Sequence, residues 1–348
     1  MVKQIGRYQD HIGLWESELK EWVPEKIFDV HVHIGPSGIM KRISSKRAKS
    51  PLCFFTSYTI EELLLDYQNL YSGKKILNIC AFGFPLREVD INAANRYVGD
   101  LLGVHRNMMY GFLLVDPFHI DKTIDQFYSM KDSGITFSGI KPYFDFLGKP
   151  NIQTRTEEFV PTSLLEFMNK EKLVLMLHTS GEGMCEKTNQ KFIKNLAENF
   201  PQIKVILAHM GRYVYPEQFF KFMDSGILEL NQVFLDVSCA AVHSVYTRAL
   251  ADVNIRKKLL FASDFPFGLI PGIDKEWTFI TRDDYIWSDP VIQAQFAKER
   301  SNLTYNTYHV IKAIKDNMES LGLSKEATVR LKEDIFFKNA LRVFGSKK

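Results

Sequence analysis

At 348 residues the chain is long for one domain and too short for two large ones. Its 45% apolar and 24% charged residues are those of a globular protein. With 44 basic against 41 acidic side chains the net charge is +3, which excludes the strongly basic profile of a nucleic-acid or membrane-surface binder. Residues 1–22 lack the apolar core of a signal peptide, and no apolar run nears the ~20 residues of a membrane span. Cys53, Cys80, Cys185 and Cys239 form no CxxC pair and read as reduced thiols, so the expectation is a soluble cytoplasmic protein.

A lead, 1–25, precedes the first of eight short apolar runs. In chain order these are KIFDVHVHIG (26–35), KKILNICAFG (74–83), MYGFLLVDP (109–117), FSGIKPYFDF (137–146), KLVLMLHTSG (172–181), KVILAHMGR (204–212), VFLDVSCA (233–240) and KLLFASDFPFG (258–268). Each is rich in β-branched or aromatic residues and too short for a long helix, the pattern of buried parallel strands. Helical patterns fill the gaps. Thr59 and Glu62 form a capping box opening a helix over 59–72. Further helices are predicted near 90–105, 119–133, 162–171, 189–199, 217–224 and 244–257, with a long one over 325–344 after Ser324.

Strand then helix, eight times, predicts an α/β fold closed as a (β/α)8 TIM barrel rather than an open sheet. No G-x-G-x-x-G follows the first strand, so a dinucleotide fold is unsupported. The domain reading is an N-terminal extension, 1–25, and a barrel, 26–348. The barrel includes an insertion, 269–323, whose Trp277, Tyr285 and Trp287 predict a packed cover.

Polar residues at strand ends carry the chemistry. His31 and His33 are two apart on the first strand and so share a face. His178 closes the fifth run, His209 the sixth and Asp264 the eighth. Barrel active sites form at the C-terminal ends of strands, so separate strands deliver these groups to one mouth. Several imidazoles and a buried carboxylate need partners or a cation to offset desolvation. A divalent metal meets that need; the donor types rank Zn²⁺ first, with Mn, Fe and Co also acceptable.

Taken in order, FDVHVHIG, LHTSG, AHMGR, FASDFPFG and IFFKNALRVFG resemble the amidohydrolase superfamily. The branch is amidohydrolase-2, which includes aminocarboxymuconate-semialdehyde decarboxylase and related aromatic decarboxylases. The resemblance spans Phe28 to Gly345. It implies His31, His33, His178 and Asp264 around one metal ion, with His209 beside the activated water as a catalytic group. The metal would lower the pKa of water from about 15.7 toward about 7. Asp264 would carry the proton, and His209 would orient water or stabilise an oxyanion. The resemblance also implies a homodimer.

Lys141, on the fourth strand, leaves two readings: a carboxylated bridge between two metals, or a contact to substrate or a neighbouring carboxylate. One ion is favoured over two. Arg212 would grip a substrate carboxylate or form a rim salt bridge. Tyr143, Asp145 and Glu182 follow strand ends as pocket candidates. Asp236 would orient a ligand histidine or make a structural hydrogen bond. His243 is a weaker candidate for the mouth, and His11, His105, His119 and His309 lie off strand ends. The basic stretch 41–49 either attracts an anionic substrate or is a solvated loop. Phe54, Phe55 and Tyr58 either wall the pocket or pack on the first helix.

The function expected is that of a metal-dependent hydrolase of a C–N or C–O bond in a small molecule, one reading being a carboxylate. The alternative is a nonoxidative decarboxylase of an unsaturated or aromatic acid. A third reading, an inactive barrel kept as a binding protein, predicts loss of a ligand, and none is lost.

Overall fold

The computed structural model describes residues 12–272 and 304–347. Eight parallel strands form one sheet in sequence order: β1 (Lys26–His33), β2 (Lys75–Phe82), β3 (Met109–Leu114), β4 (Gly139–Lys141), β5 (Val174–Leu177), β6 (Lys204–Leu207), β7 (Val233–Asp236) and β8 (Leu259–Leu260). The ring closes through backbone bonds between β1 and the chain leaving β8. Val30 N donates to Phe261 O at 3.1 Å, Asp264 N to His31 O at 2.9 Å, and His33 N to Phe265 O at 2.7 Å. The eight runs thus form the expected (β/α)8 barrel.

Outer helices follow the predicted order. Ile60–Leu70 opens on Thr59, whose hydroxyl accepts from Glu62 N while the Glu62 carboxylate accepts from Thr59 N, the capping box expected at that position. Ile91–Val104, Ile120–Asp132, Thr162–Glu171, Lys187–Asn199 and Pro216–Met223 match the patterns to within a few residues. The helix expected over 244–257 breaks into His243–Ala251 and Val253–Arg256, because Asp252 turns extended and caps the second piece with its side chain.

Trp277, Tyr285 and Trp287, expected as a cover, lie outside the described residues. The helix Asn306–Glu319, within the range assigned to the insertion, packs on His243–Ala251 and, through Tyr308 and Thr307, on Leu70 and Tyr71 at the end of the first outer helix. It therefore takes the eighth place in the outer ring. The lead is tied down beside it: Trp15 stacks on Tyr308 with ring centroids 5.7 Å apart, and its indole N–H donates to Ser72.

The predicted 325–344 helix runs as Lys325–Glu333 and Asn339–Phe344 joined by a π turn, Asp334–Lys338. It plugs the end of the barrel opposite the site. Phe344 packs on Phe28, Tyr110 and Phe112 at 5.2, 5.0 and 5.8 Å between ring centroids. Asn339 donates to the carbonyls of Arg256 and Leu259. With the bottom filled, side chains of successive strands layer the interior and only the far end is free for polar groups.

Candidate metal centre and active site

Strand periodicity puts the polar groups at the top of that interior. Met176, Phe234 and Ala262 belong to the interior core, and two residues on from each come His178, Asp236 and Asp264. β1 needs one extra device. Phe28 and Val30 face the interior, yet His31 and His33 line the cavity while Val32 joins the outer layer. The register breaks between Asp29 and Val32, a bulge that switches parity and turns both imidazoles inward. Asp29, left on the outer side, binds the strand in place. It accepts from His31 N at 3.2 Å, Ser263 N at 2.9 Å and the Tyr67 hydroxyl at 2.8 Å.

A cavity of about 200 Å³ is lined by His31, His33, Lys141, Tyr143, His178, His209, Cys239 and Asp264, with Leu52, Phe84, Pro85, Leu86 and Phe267 as apolar walls. A larger groove of about 1150 Å³ lies near Phe234, Lys258 and Arg342, toward the plugged end, and none of the metal-ligating clusters among the described residues lies there. Backbone strain concentrates at the cavity. His209, Met210, Arg212, Cys239 and Asp264 all hold φ between 55 and 62°, a left-handed conformation costly for side-chain-bearing residues and typical of functional sites.

Hydrogen bonds fix the proton positions. His31 Nδ1 lies 2.9 Å from Asp236 Oδ2. Burial opposes ionisation of Asp236, but the His31 imidazole beside it and the Ser238 hydroxyl outweigh that and hold its carboxyl at about 2. His31 Nδ1 must therefore carry the proton. His33 Nδ1 faces the Gly83 carbonyl at 3.4 Å and His209 Nδ1 the Ser238 carbonyl at 3.2 Å, so each of these also donates. Burial, assisted by the Lys141 charge, pushes His31 down to about 4, and burial likewise lowers His33. Both rings are neutral near pH 7, and their Nε2 atoms present lone pairs.

Those lone pairs converge on a carboxylate oxygen. His31 Nε2 and His33 Nε2 are 3.2 Å apart and lie 3.2 and 3.0 Å from Asp264 Oδ1. Asp264 is buried, and its Oδ1 is held against both rings at these distances. Three electron-pair donors thus face one point with no proton to share, and among the described residues Oδ1 has no hydrogen-bond partner. Their spacing is that of neighbouring ligands around a cation with bonds of about 2.0–2.2 Å. The donor set, two imidazoles and a carboxylate, fits a divalent metal.

The other expected residues sit around this point. His178 stands 5.4 Å from His209 and 5.0 Å from Tyr143 between ring centroids, and its buried Nδ1 makes no hydrogen bond among the described residues. It lies in the same cavity, but among the described residues no three-ligand cluster within 4.8 Å includes it. Lys141 is 1% exposed, and among the described residues its ammonium has no hydrogen-bond partner, resting over the Phe82 and Tyr143 rings at 5.2 and 5.8 Å. Burial pushes it down to about 8. Arg212 donates to the Gly181 carbonyl and does not line the cavity.

Asp145 and Glu182 also lie off the lining: Asp145 accepts from Arg47 and from Arg87 N, while Glu182 is exposed. Arg47 of the basic stretch also pairs with Glu88 at 3.1 Å, so its charge is matched by two carboxylates rather than turned toward the mouth. His243 stands 3.9 Å from Asp316 in the outer ring. Phe55 packs edge-on against Phe267, and Tyr58 donates to Asp66 on the first outer helix. Cys239 was missed: its thiol donates to Asp264 Oδ2 at 3.2 Å. Its place three residues beyond Asp236, past the end of a barrel strand, was the available signal.

The family model described as amidohydrolase matches residues 87–346. No curated protein matches the chain. Among solved structures, 5-carboxyvanillate decarboxylase LigW from Sphingomonas paucimobilis is similar over 92% of this chain and 99% of its own, at 11% identity and a TM-score of 0.56. For 4-oxalomesaconate hydratase LigJ from Rhodopseudomonas palustris the shares are 91% and 95%, with 19% identity and a TM-score of 0.52. A 2,6-dihydroxybenzoate decarboxylase from Rhizobium gives 92% and 99%, 13% identity and 0.53. At these identities the likeness is one of fold.

Proposed function

Because the chain belongs to the amidohydrolase family, we propose that it is a metal-dependent hydrolase that cleaves a C–N or C–O bond in a small carboxylate-bearing molecule. The observation that supports this most is the meeting of the His31, His33 and Asp264 lone pairs at one protonless point. His31, His33, Asp264 and, from across the cavity, His178 would hold one ion, with zinc the best fit to imidazole and carboxylate. A divalent cation there supplies Lewis acidity and makes water acidic enough to ionise near neutrality.

The chain's own residues supply the rest. His209 keeps Nε2 unprotonated because Nδ1–H is committed to Ser238, so it serves as a base or orients water. Asp264 Oδ2 is hydrogen-bonded by a weak thiol donor and retains a lone pair that takes up and returns a proton. The Lys141 ammonium, buried and with no hydrogen-bond partner among the described residues, seats a substrate carboxylate. Tyr143, whose phenol burial keeps protonated, adds an O–H donor on the same side. Phe84, Phe267 and Leu52 make the walls apolar.

A second reading, nonoxidative decarboxylation, draws on the aromatic walls beside Lys141 and on fold neighbours named for carboxylated substrates. Zinc-loaded protein screened on a panel of carboxylated amides, lactones and aromatic acids in ¹⁸O-labelled water tests both. Label in the product supports hydrolysis, and carbon dioxide release without label supports the second reading. Equal turnover by chelator-stripped protein refutes the metal-dependent reading altogether.

A further inference from the structure

Asp264 is a ligand candidate with two oxygens and one correct aim. The terminal torsion of an aspartate is broad, so a carboxylate held at one oxygen only is free to rotate. Oδ1 has neighbours that repel it until a cation arrives, and these cannot fix it in advance. Among the described residues, the hydrogen bond on Oδ2 comes from Cys239, 3.2 Å away. A carboxylate only accepts, so the thiol donates. Cys239 also lines the cavity, and its sulfur lies within 4.8 Å of ligand atoms of both His209 and Asp264. In the same cavity the Lys141 ammonium is buried and, among the described residues, without a hydrogen-bond partner, so the thiol stands in a built site rather than alone. Both Cys239 and Asp264 hold left-handed backbone, at φ 55 and 56°, and these turns aim the two side chains at each other across adjacent strand ends.

We propose that Cys239 is a positioning residue of the metal centre: its S–H holds the outer oxygen of Asp264 so that the inner oxygen faces His31 and His33. Cys239 lies outside the His31, His33 and Asp264 cluster but forms a second cluster with His209 and Asp264, and its assigned role is that of a donor to the shared Asp264 rather than that of a ligand. The inference rests on the metal reading above and adds a residue that the metal-ligand pattern does not contain.

The test is zinc affinity of the full chain, measured by competition with a chromophoric chelator after metal stripping, together with urea unfolding. Losing a group that orients a ligand weakens metal binding by about 10–100-fold, and a weak S–H donor belongs at the lower end. Cys239→Ala should therefore bind zinc about 10-fold more weakly. Cys239→Gly should match it, and because glycine suits φ 55° it keeps the test open if alanine strains the turn. Cys239→Ser, which restores a donor to the carboxylate, should stay within roughly threefold of wild type. The inference is overturned if Ala and Gly bind as tightly as wild type, or if Ser binds as weakly as Ala while all unfold alike. It is also overturned if the variants lose a second zinc and keep the first unchanged. A wild-type chain that takes up no zinc, manganese or cobalt refutes the metal reading and this inference with it, a result that needs no variant.

Discussion

Replacing Asp236 by asparagine separates the aim of a ligand from the stability of the fold. Asp236 Oδ1 accepts from His209 N at 3.0 Å, Ser238 N at 3.0 Å and Ser238 Oγ at 2.5 Å, while Oδ2 takes the His31 Nδ1 proton at 2.9 Å. An asparagine must keep its single oxygen toward the three donors, which turns its NH₂ toward His31 Nδ1. Two donors cannot share that contact, so His31 moves its proton to Nε2 and loses the lone pair that faces His33 and Asp264. Zinc affinity should fall toward the far end of the 10–100-fold range for such contacts, or about 2–3 kcal/mol at 1.36 kcal/mol per tenfold. Folding should suffer less, since every donor keeps an acceptor. In Asp236→Ala four buried donors, His31 Nδ1, His209 N, Ser238 N and the Ser238 hydroxyl, lose theirs at about 1–3 kcal/mol each, a loss of about 4–12 kcal/mol against a typical total of about 5–15 kcal/mol. Chelator competition reads the first effect, urea unfolding the second, and ¹⁵N shifts of the imidazole the tautomer. Asparagine protein that binds zinc like wild type, or alanine protein as stable as asparagine protein, refutes the reasoning.

Lys141→Met should weaken binding of carboxylate inhibitors and stabilise the fold. Holding this lysine at about 8 rather than 10.5 costs about 3 kcal/mol at 1.36 kcal/mol per pH unit below pH 8, and the gain on removing it should fade between pH 8 and 10.5, as seen by urea unfolding across pH. In wild type the same inhibitors should bind more weakly as pH rises through about 8 and the ammonium loses its charge; a flat profile in inhibition assays would remove Lys141 from the carboxylate site. Zinc at 100 times its dissociation constant should add about 2.7 kcal/mol to stability. A melting temperature indifferent to zinc, manganese and cobalt would contradict a metal site in the fold. Gly139→Ala should cost about 3 kcal/mol or more, because the added Cβ would meet the Val174 carbonyl at 2.3 Å and the Phe112 ring at 2.5 Å; an unchanged urea midpoint would show that β4 and β5 separate easily.

What was legible in the chain follows from how local each cause is. Apolar runs and caps are written within a few residues, so all eight strands and the Thr59 capping box could be read directly. The sharing of a face by His31 and His33 is equally local. Strand ends were less legible. The run 258–268 yields only Leu259–Leu260 as strand, because left-handed Asp264 bends the chain while its amide bonds to β1. The partners that give the histidines their meaning lie far off in sequence: Asp236 is 205 residues from His31, and Cys239 is 25 from Asp264. An aspartate within a strand or an isolated cysteine looks the same whether it orients a ligand or fills a core. Only closure of the barrel, which brings β7 and β8 beside β1, distinguishes them. The same closure explains why the site tolerates so much strained backbone. Its groups are the last interior positions of several strands, each held from below by packed side chains, so the cost of five left-handed residues is borne by the barrel and not by the loops that carry them.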